Sequence, residues 1–161
     1  MTPNPYAPPK AEVADVAVGG VAPALWNPNA AASWSLVFSP AFGAFLHMKN
    51  WQALGEPAKA AAAKVWIAIT LCVLVGFSVL AVFLPNKGID GLSRSIAFVL
   101  LLSWYYASGK PQVAFIKARF GKSYPRRGWL KPLSLAIVAL VAFFAVIVAA
   151  AMVASLFSRG V

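Results

Sequence analysis

Acidic residues are nearly missing from this chain. Four Asp and Glu stand against 14 Lys and Arg in 161 residues, and the formal net charge is +10. Charged residues of both signs make up only 11% of the sequence, against about 25% in a typical soluble domain. That scarcity removes the polar surface that a water-soluble fold requires. Cysteine occurs once, at Cys72, which excludes an internal disulfide and gives no metal-ligand grouping. Histidine occurs once, at His47, and a single imidazole without an evident second axial ligand is a poor haem site. No paired carboxylates, no metal-ligand spacing and no Ser/His/Asp motif are present. A proton relay or hydrolytic centre would have to be built from neutral groups. The expectation is a chain that is not an enzyme and uses no metal or cofactor. Also lacking is the basic start and apolar core of a cleavable signal peptide, so a retained helix is expected to direct insertion.

What is abundant is apolar: 61% of the residues are hydrophobic, and they come in long blocks. Blocks of that length predict an all-α integral membrane protein. The expected organisation is a flexible Pro/Ala-rich tail over 1–26 and a single helical membrane domain over 27–161. About four transmembrane helices are expected, near 31–48, 66–84, 92–108 and 133–157, arranged as two helical hairpins. Asn27 is a good N-cap and Pro28 suits the first helical position. The first span is the weak one. It is barely long enough, Pro40 should kink it, and a re-entrant path is the alternative. Gly55 is a plausible stop and Pro57 a start. The segments 66–84 and 133–157 are uncharged. Trp104, Tyr105 and Tyr106 suit an interfacial belt at the end of the third helix, and Gly109, Lys110 and Pro111 should break it. Residues 51–57 and 105–111 share the pattern aromatic, x, Ala, x, Gly, x, Pro, which points to a degenerate duplication.

The charge pattern sets orientation. Lys110, Lys117, Arg119, Lys122, Arg126, Arg127 and Lys131 crowd one loop that contains no acid. Such a loop is expected to be cytoplasmic and to meet anionic lipid headgroups, so the excess of basic charge needs no nucleic acid. Within it Val113, Ile116 and Phe120 share one helical face, which predicts a short helix lying flat at the membrane surface. Lys49, Lys59 and Lys64 fall on the same side, and the C-terminus on the other. If 31–48 spans, the N-terminal tail lies outside; if it re-enters, the tail lies inside. The four-span arrangement is the expectation.

Two faces stand out for association. Ser35, Ser39, Gly43, His47 and Asn50 recur at spacings of four, four, four and three, a stripe of small and polar groups. In lipid such a stripe forms a helix–helix seam. Ala142, Ala145, Ala149, Ala150 and Ala154 make a small-residue surface on the last helix, fit for internal packing or for a partner's helix.

The opening NPYAPPKAEVADV, residues 4–16, resembles an NPYAPP-type tail found on otherwise different, uncharacterised small inner-membrane proteins of proteobacteria. The stretch FSPAFGAFLHMKNWQALGEP, residues 38–57, is similar to a helix-end pattern in such proteins. The resemblance covers about the first third of the chain. It implies a multi-pass protein of the bacterial inner (cytoplasmic) membrane and carries no catalytic residues over. The expected function is association, as an accessory subunit or regulator of a membrane assembly, with a membrane-protein partner or a second copy of the chain. An immunity protein guarding the inner membrane against a pore-forming or depolarising toxin, and a small transporter or channel, are the other classes.

Overall fold

The computed structural model describes residues 22–84 and 87–159. They form α1 (Pro28–Phe38), α2 (Pro40–Ala53), α3 (Pro57–Phe83), α4 (Lys87–Trp104), a π-helical turn (Tyr105–Gly109), α5 (Lys110–Phe120) and α6 (Leu130–Arg159). Among the described residues there is no strand beyond one isolated bridge, between Leu25 and Arg126. The chain is therefore all-helical, as its composition requires.

Proline chemistry sets the helix starts. The Asn27 side-chain oxygen accepts from the Asn29 and Ala30 amides at 3.0 and 3.4 Å, and Pro28 occupies the first turn, where a missing N–H costs little. Pro40 and Pro57 open α2 and α3 in the same way. Gly55, with φ +73°, ends the α2 turn in a conformation that side chains resist.

The first departure from expectation is at Ser39. Residues 31–48 are not one kinked helix. Because Pro40 begins a new helix, the backbone is free to turn at the residue before it, and Ser39 takes φ 142° and ψ 164°. That region is nearly reserved for glycine and costs other residues about 1–3 kcal/mol. The chain reverses there, so that Gly43 meets Ser35 and His47 reaches back to Pro28. The two legs have 11 and 14 residues, or about 16 and 21 Å. Neither matches a hydrocarbon layer of ~30 Å. Both open ends of this hairpin lie together, and the aromatic run Trp34, Phe38, Phe42 stacks toward its tip.

The second departure is at Gly109, Lys110 and Pro111, which do not break the helix. Gly109 and Lys110 keep helical angles, so α4, the π turn and α5 follow one another without interruption from Lys87 to Phe120. The wider turn accommodates Pro111, which has no N–H to offer the preceding turn. The repeat pattern fails for the same reason. Gly55 is left-handed, while its counterpart Gly109 has φ −65°. Two repeated hairpins are not the arrangement found. α1 pairs with α2, α3 packs between α2 and α4, and α6 rests chiefly on α3.

The core lies at one end of the molecule. Met48 and Trp51 of α2 pack on Ala60 and Ala63 of α3, with Phe45, Leu54, Ile67 and Phe115 around them. The alanines let the two backbones approach closely. Beyond that end, α3 and α6 run outward with their apolar side chains exposed: Val75, Val79 and Phe83 on one, Val141, Val146 and Leu156 on the other. These two helices are long and apolar enough to cross a membrane. Polar atoms on α3 are satisfied internally, since Thr70 and Ser78 donate to the Trp66 and Leu74 carbonyls at 2.8 and 2.7 Å.

The expected tail is shorter than 1–26. Leu25 is fully buried. Its amide donates to the Pro125 carbonyl at 3.0 Å, and its carbonyl accepts from Arg127 N–H at 2.9 Å. Residues 1–21, and with them most of the expected tail, lie outside the described residues.

Candidate functional site

The site begins with the hairpin reversal, which turns the stripe read on one helix into the inner faces of two legs. Ser35, Gly43, His47 and Asn50 are all buried, and Ser39 is half-buried at the turn. They close not on each other alone but on the long helix of α4, the π turn and α5. Trp104, buried at the end of α4, sets its ring 5.4 Å from that of His47. Gly43 faces the same indole and the Ser35 hydroxyl; a Cβ there would overlap both.

One turn nearer the open end lies a polar knot. Asn50 Oδ1 accepts from Trp26 N–H at 3.0 Å, and Asn50 Nδ2 donates to the Trp26 carbonyl at 2.9 Å. The same Nδ2 donates to Gln112 Oε1 at 3.3 Å, and Gln112 Nε2 donates to the His47 carbonyl at 2.8 Å. His47 Nε2–H donates to the Pro28 carbonyl at 3.2 Å, since a carbonyl can only accept. Two side-chain amides thus join three separated pieces of chain, the entry segment at Trp26, α2 and α5, and the His47 imidazole ties in α1. The His47 Nδ1 and Trp104 Nε1 atoms are buried and have no partner among the described residues. Ser35 spends its hydroxyl on the Ala31 carbonyl, 2.9 Å away.

The π turn brings the two contacts on the long helix into register. Trp104 and Gln112 are eight residues apart, which on a regular α-helix is about 80° away from a whole number of turns. The looser π turn between them unwinds the helix enough for both to face the hairpin. Gln112 was not singled out by sequence reasoning, being counted with the basic segment. The available signal was its place four residues before Ile116, and it is these two that form the buried side of α5, with Val113 and Phe120 only half-covered.

The basic segment lies at the open end of the hairpin. Lys110, Lys117, Arg119, Lys122, Arg126, Arg127 and Lys131 are exposed. Several ride on aromatic faces: Arg127 over Trp26 at 4.7 Å, Lys110 over Tyr106 at 5.5 Å, and Arg119 over Phe115 at 5.9 Å. Lys59 sits over Phe115 at 4.2 Å and makes the ion pair with Glu56 at 3.3 Å. Trp26 also donates its indole N–H to the Gly128 carbonyl at 3.1 Å. The alanine surface of α6 is not consumed by internal packing. Leu133, Ala136, Leu140, Phe143 and Ile147 form its half-covered face, whereas Ala142, Ala145, Ala149 and Ala150 are exposed and Ala154 is half-buried. Among the described residues no group of three or more His, Cys, Asp or Glu could hold a metal ion.

No family model, no curated protein and no solved structure matches this chain.

The amide knot makes a direct prediction. Asn50→Ala leaves the Trp26 N–H and carbonyl and the Gln112 oxygen without a side-chain partner. The Gln112 contact is buried while the two Trp26 contacts are part-buried. A fully buried loss costs about 1–3 kcal/mol and a half-covered one less, so the variant should be destabilised by roughly 2–4 kcal/mol in detergent-based unfolding. Gln52→Ala, two residues on and exposed, should change stability by less than about 0.5 kcal/mol. Equal behaviour of the two would mean that the knot contributes nothing.

Proposed function

We propose that this chain is a multi-pass protein of a bacterial inner membrane that works by association, as a non-catalytic accessory subunit or regulator of a larger membrane assembly. Three crossings and one re-entrant hairpin account for the geometry better than four crossings. α3 starts beside the polar knot and carries its apolar run away from it. Lys87 opens α4 just after α3 ends, yet Gln112 is back at the knot. The intervening helix therefore covers the same thickness as α3 in the opposite direction. α6 leaves the basic end and does not return within the described residues.

The observation that carries association is the open alanine face of α6. Small residues on a membrane helix allow another helix to approach closely, and Ala142, Ala145 and Ala149 are exposed among the described residues, while α6 meets the rest of the fold chiefly through α3. A photo-cross-linker placed at Ala145 in native membranes should yield one discrete adduct, with a partner or a second copy. The same probe at Ile147, on the covered face, should yield none. Identical product patterns from both positions would reject the α6 interface. Ion flux by the purified chain in liposomes, abolished by His47→Ala or Arg94→Ala, would replace association with conduction.

A further inference from the structure

We propose that the groove between α1 and the end of α4 seats one anionic phospholipid, drawn from the leaflet on the basic side of the membrane. The inference rests on the membrane reading above but not on the α6 interface. The groove is an open one of about 410 Å³, lined by Asn29, Ala32, Ser33 and Leu36 of α1 and by Leu101, Leu102, Trp104 and Tyr105 from the end of α4 and the π turn.

Its polarity changes along its length. Asn29, Ala32, Ser33 and Leu36 follow the i, i+3, i+4, i+7 spacing of one helix face, so the groove runs along α1. Asn29 and Ser33 stand in the first turns, near the hairpin's open end, and Tyr105 lies beyond Leu101 and Leu102 on the opposite wall as α4 approaches the basic layer. Leu36, Leu101 and Leu102 form the deeper part, and Leu36 is 73% exposed. A channel that is polar at headgroup level and apolar below it matches an acyl chain with its head at the interface. It does not match a soluble solute, which has no use for the deep part. Nor does it match a transmembrane helix, which would continue past the tip of a leg only about 16 Å long.

Charge selects the class of head. Lys110 lies five residues beyond the lining residue Tyr105, over the Tyr106 ring, and Arg127 stacks on Trp26, three residues before the lining residue Asn29. Both are exposed, and the ion pair formed among the described residues is Lys59 with Glu56. Neither flanking cation has an acidic partner there, and basic groups near a membrane surface contribute about 1 kcal/mol each toward anionic lipid.

The test is native mass spectrometry of the full chain released from detergent, titrated separately with phosphatidylglycerol and phosphatidylcholine. The expected result is one retained phosphatidylglycerol per chain, bound at least tenfold more tightly than phosphatidylcholine. Ala32→Trp fills the groove and should abolish the single adduct. Leu36→Asn, which adds no bulk, should weaken it while leaving the unfolding midpoint close to wild type. The Lys110→Gln, Arg127→Gln double variant should keep the adduct and lose most of the headgroup preference, roughly fivefold per residue by the figure above. Unchanged binding in Ala32→Trp, equal binding of the two lipids by the wild type, or a lipid-free dimer in place of the adduct would each overturn the proposal. Failure of the chain to remain with membranes after alkaline extraction would reject the membrane reading instead.

Discussion

Gly43→Leu should prevent the helical hairpin from closing, whereas Val37→Leu should be nearly silent. Gly43 lies against the Ser35 hydroxyl on the facing leg and the Trp104 indole on α4. Even one added carbon overlaps both, and Ser35 is held in place by its bond to the Ala31 carbonyl. Overpacking a filled site costs about 1–3 kcal/mol for small additions. A leucine must also part the two legs, which would expose the Asn50 and Gln112 amides, so the loss should be roughly 4 kcal/mol or more, enough to depopulate the folded state of a marginal protein. Val37, by contrast, is 64% exposed on the outer side of α1, where one methylene meets no wall. Detergent-based unfolding and protease resistance of 28–53 would measure both. Equal tolerance of the two substitutions would mean that the legs do not pack as described.

The other large effect is all-or-none. Tags at the N-terminus and in 121–129 should report the same side of the membrane, and tags at Val161 and between α3 and α4 should report the opposite side. The hydrogen bonds of Leu25 with Pro125 and Arg127, and of Trp26 with Gly128, place the entry to α1 against the basic loop. By the positive-inside bias that loop is expected on the cytoplasmic side. A tag at the N-terminus that reads periplasmic while 121–129 reads cytoplasmic would restore the four-crossing path through 31–48.

That choice shows where sequence reasoning reached its limit. Long apolar blocks are a one-dimensional signal, and they located α3 and α6 directly. Asn27, Pro28, Gly55 and Pro57 act through local backbone chemistry, so they marked helix ends correctly. The difference between a kink and a full reversal at Pro40 depends on one φ angle at Ser39, which is set by what the second leg finds to pack against. The same holds for Gly109 and Pro111, which read locally as a break. Packing of Trp104 and Gln112 on the hairpin accompanies a helix that continues there through a π turn. The stripe from Ser35 to Asn50 was legible because small and polar residues recur at helical spacing. Its partners were not, because Trp104 and Gln112 lie more than fifty residues away, and the one local cue, Gln112 four residues before Ile116, marks a buried face without saying what covers it.

The distance along the chain between those partners governs the order of events during synthesis. Asn50 meets Gln112 across 62 residues, and Trp26 meets Gly128 across 102. At a ribosomal pace of about 5–20 residues per second, the hairpin waits roughly 3–12 s for its first distant partner and somewhat longer for its second. During that interval the Asn50 amide and the hairpin's inner face lack α4 and α5, and a bilayer interior would penalise the uncovered polar groups. The hairpin legs are therefore expected to remain in the interfacial zone, or under the cover of an insertion factor, and to sink into place only when the helix carrying Trp104 and Gln112 has returned. A chain truncated before residue 104 should leave 28–53 accessible to protease from the basic side.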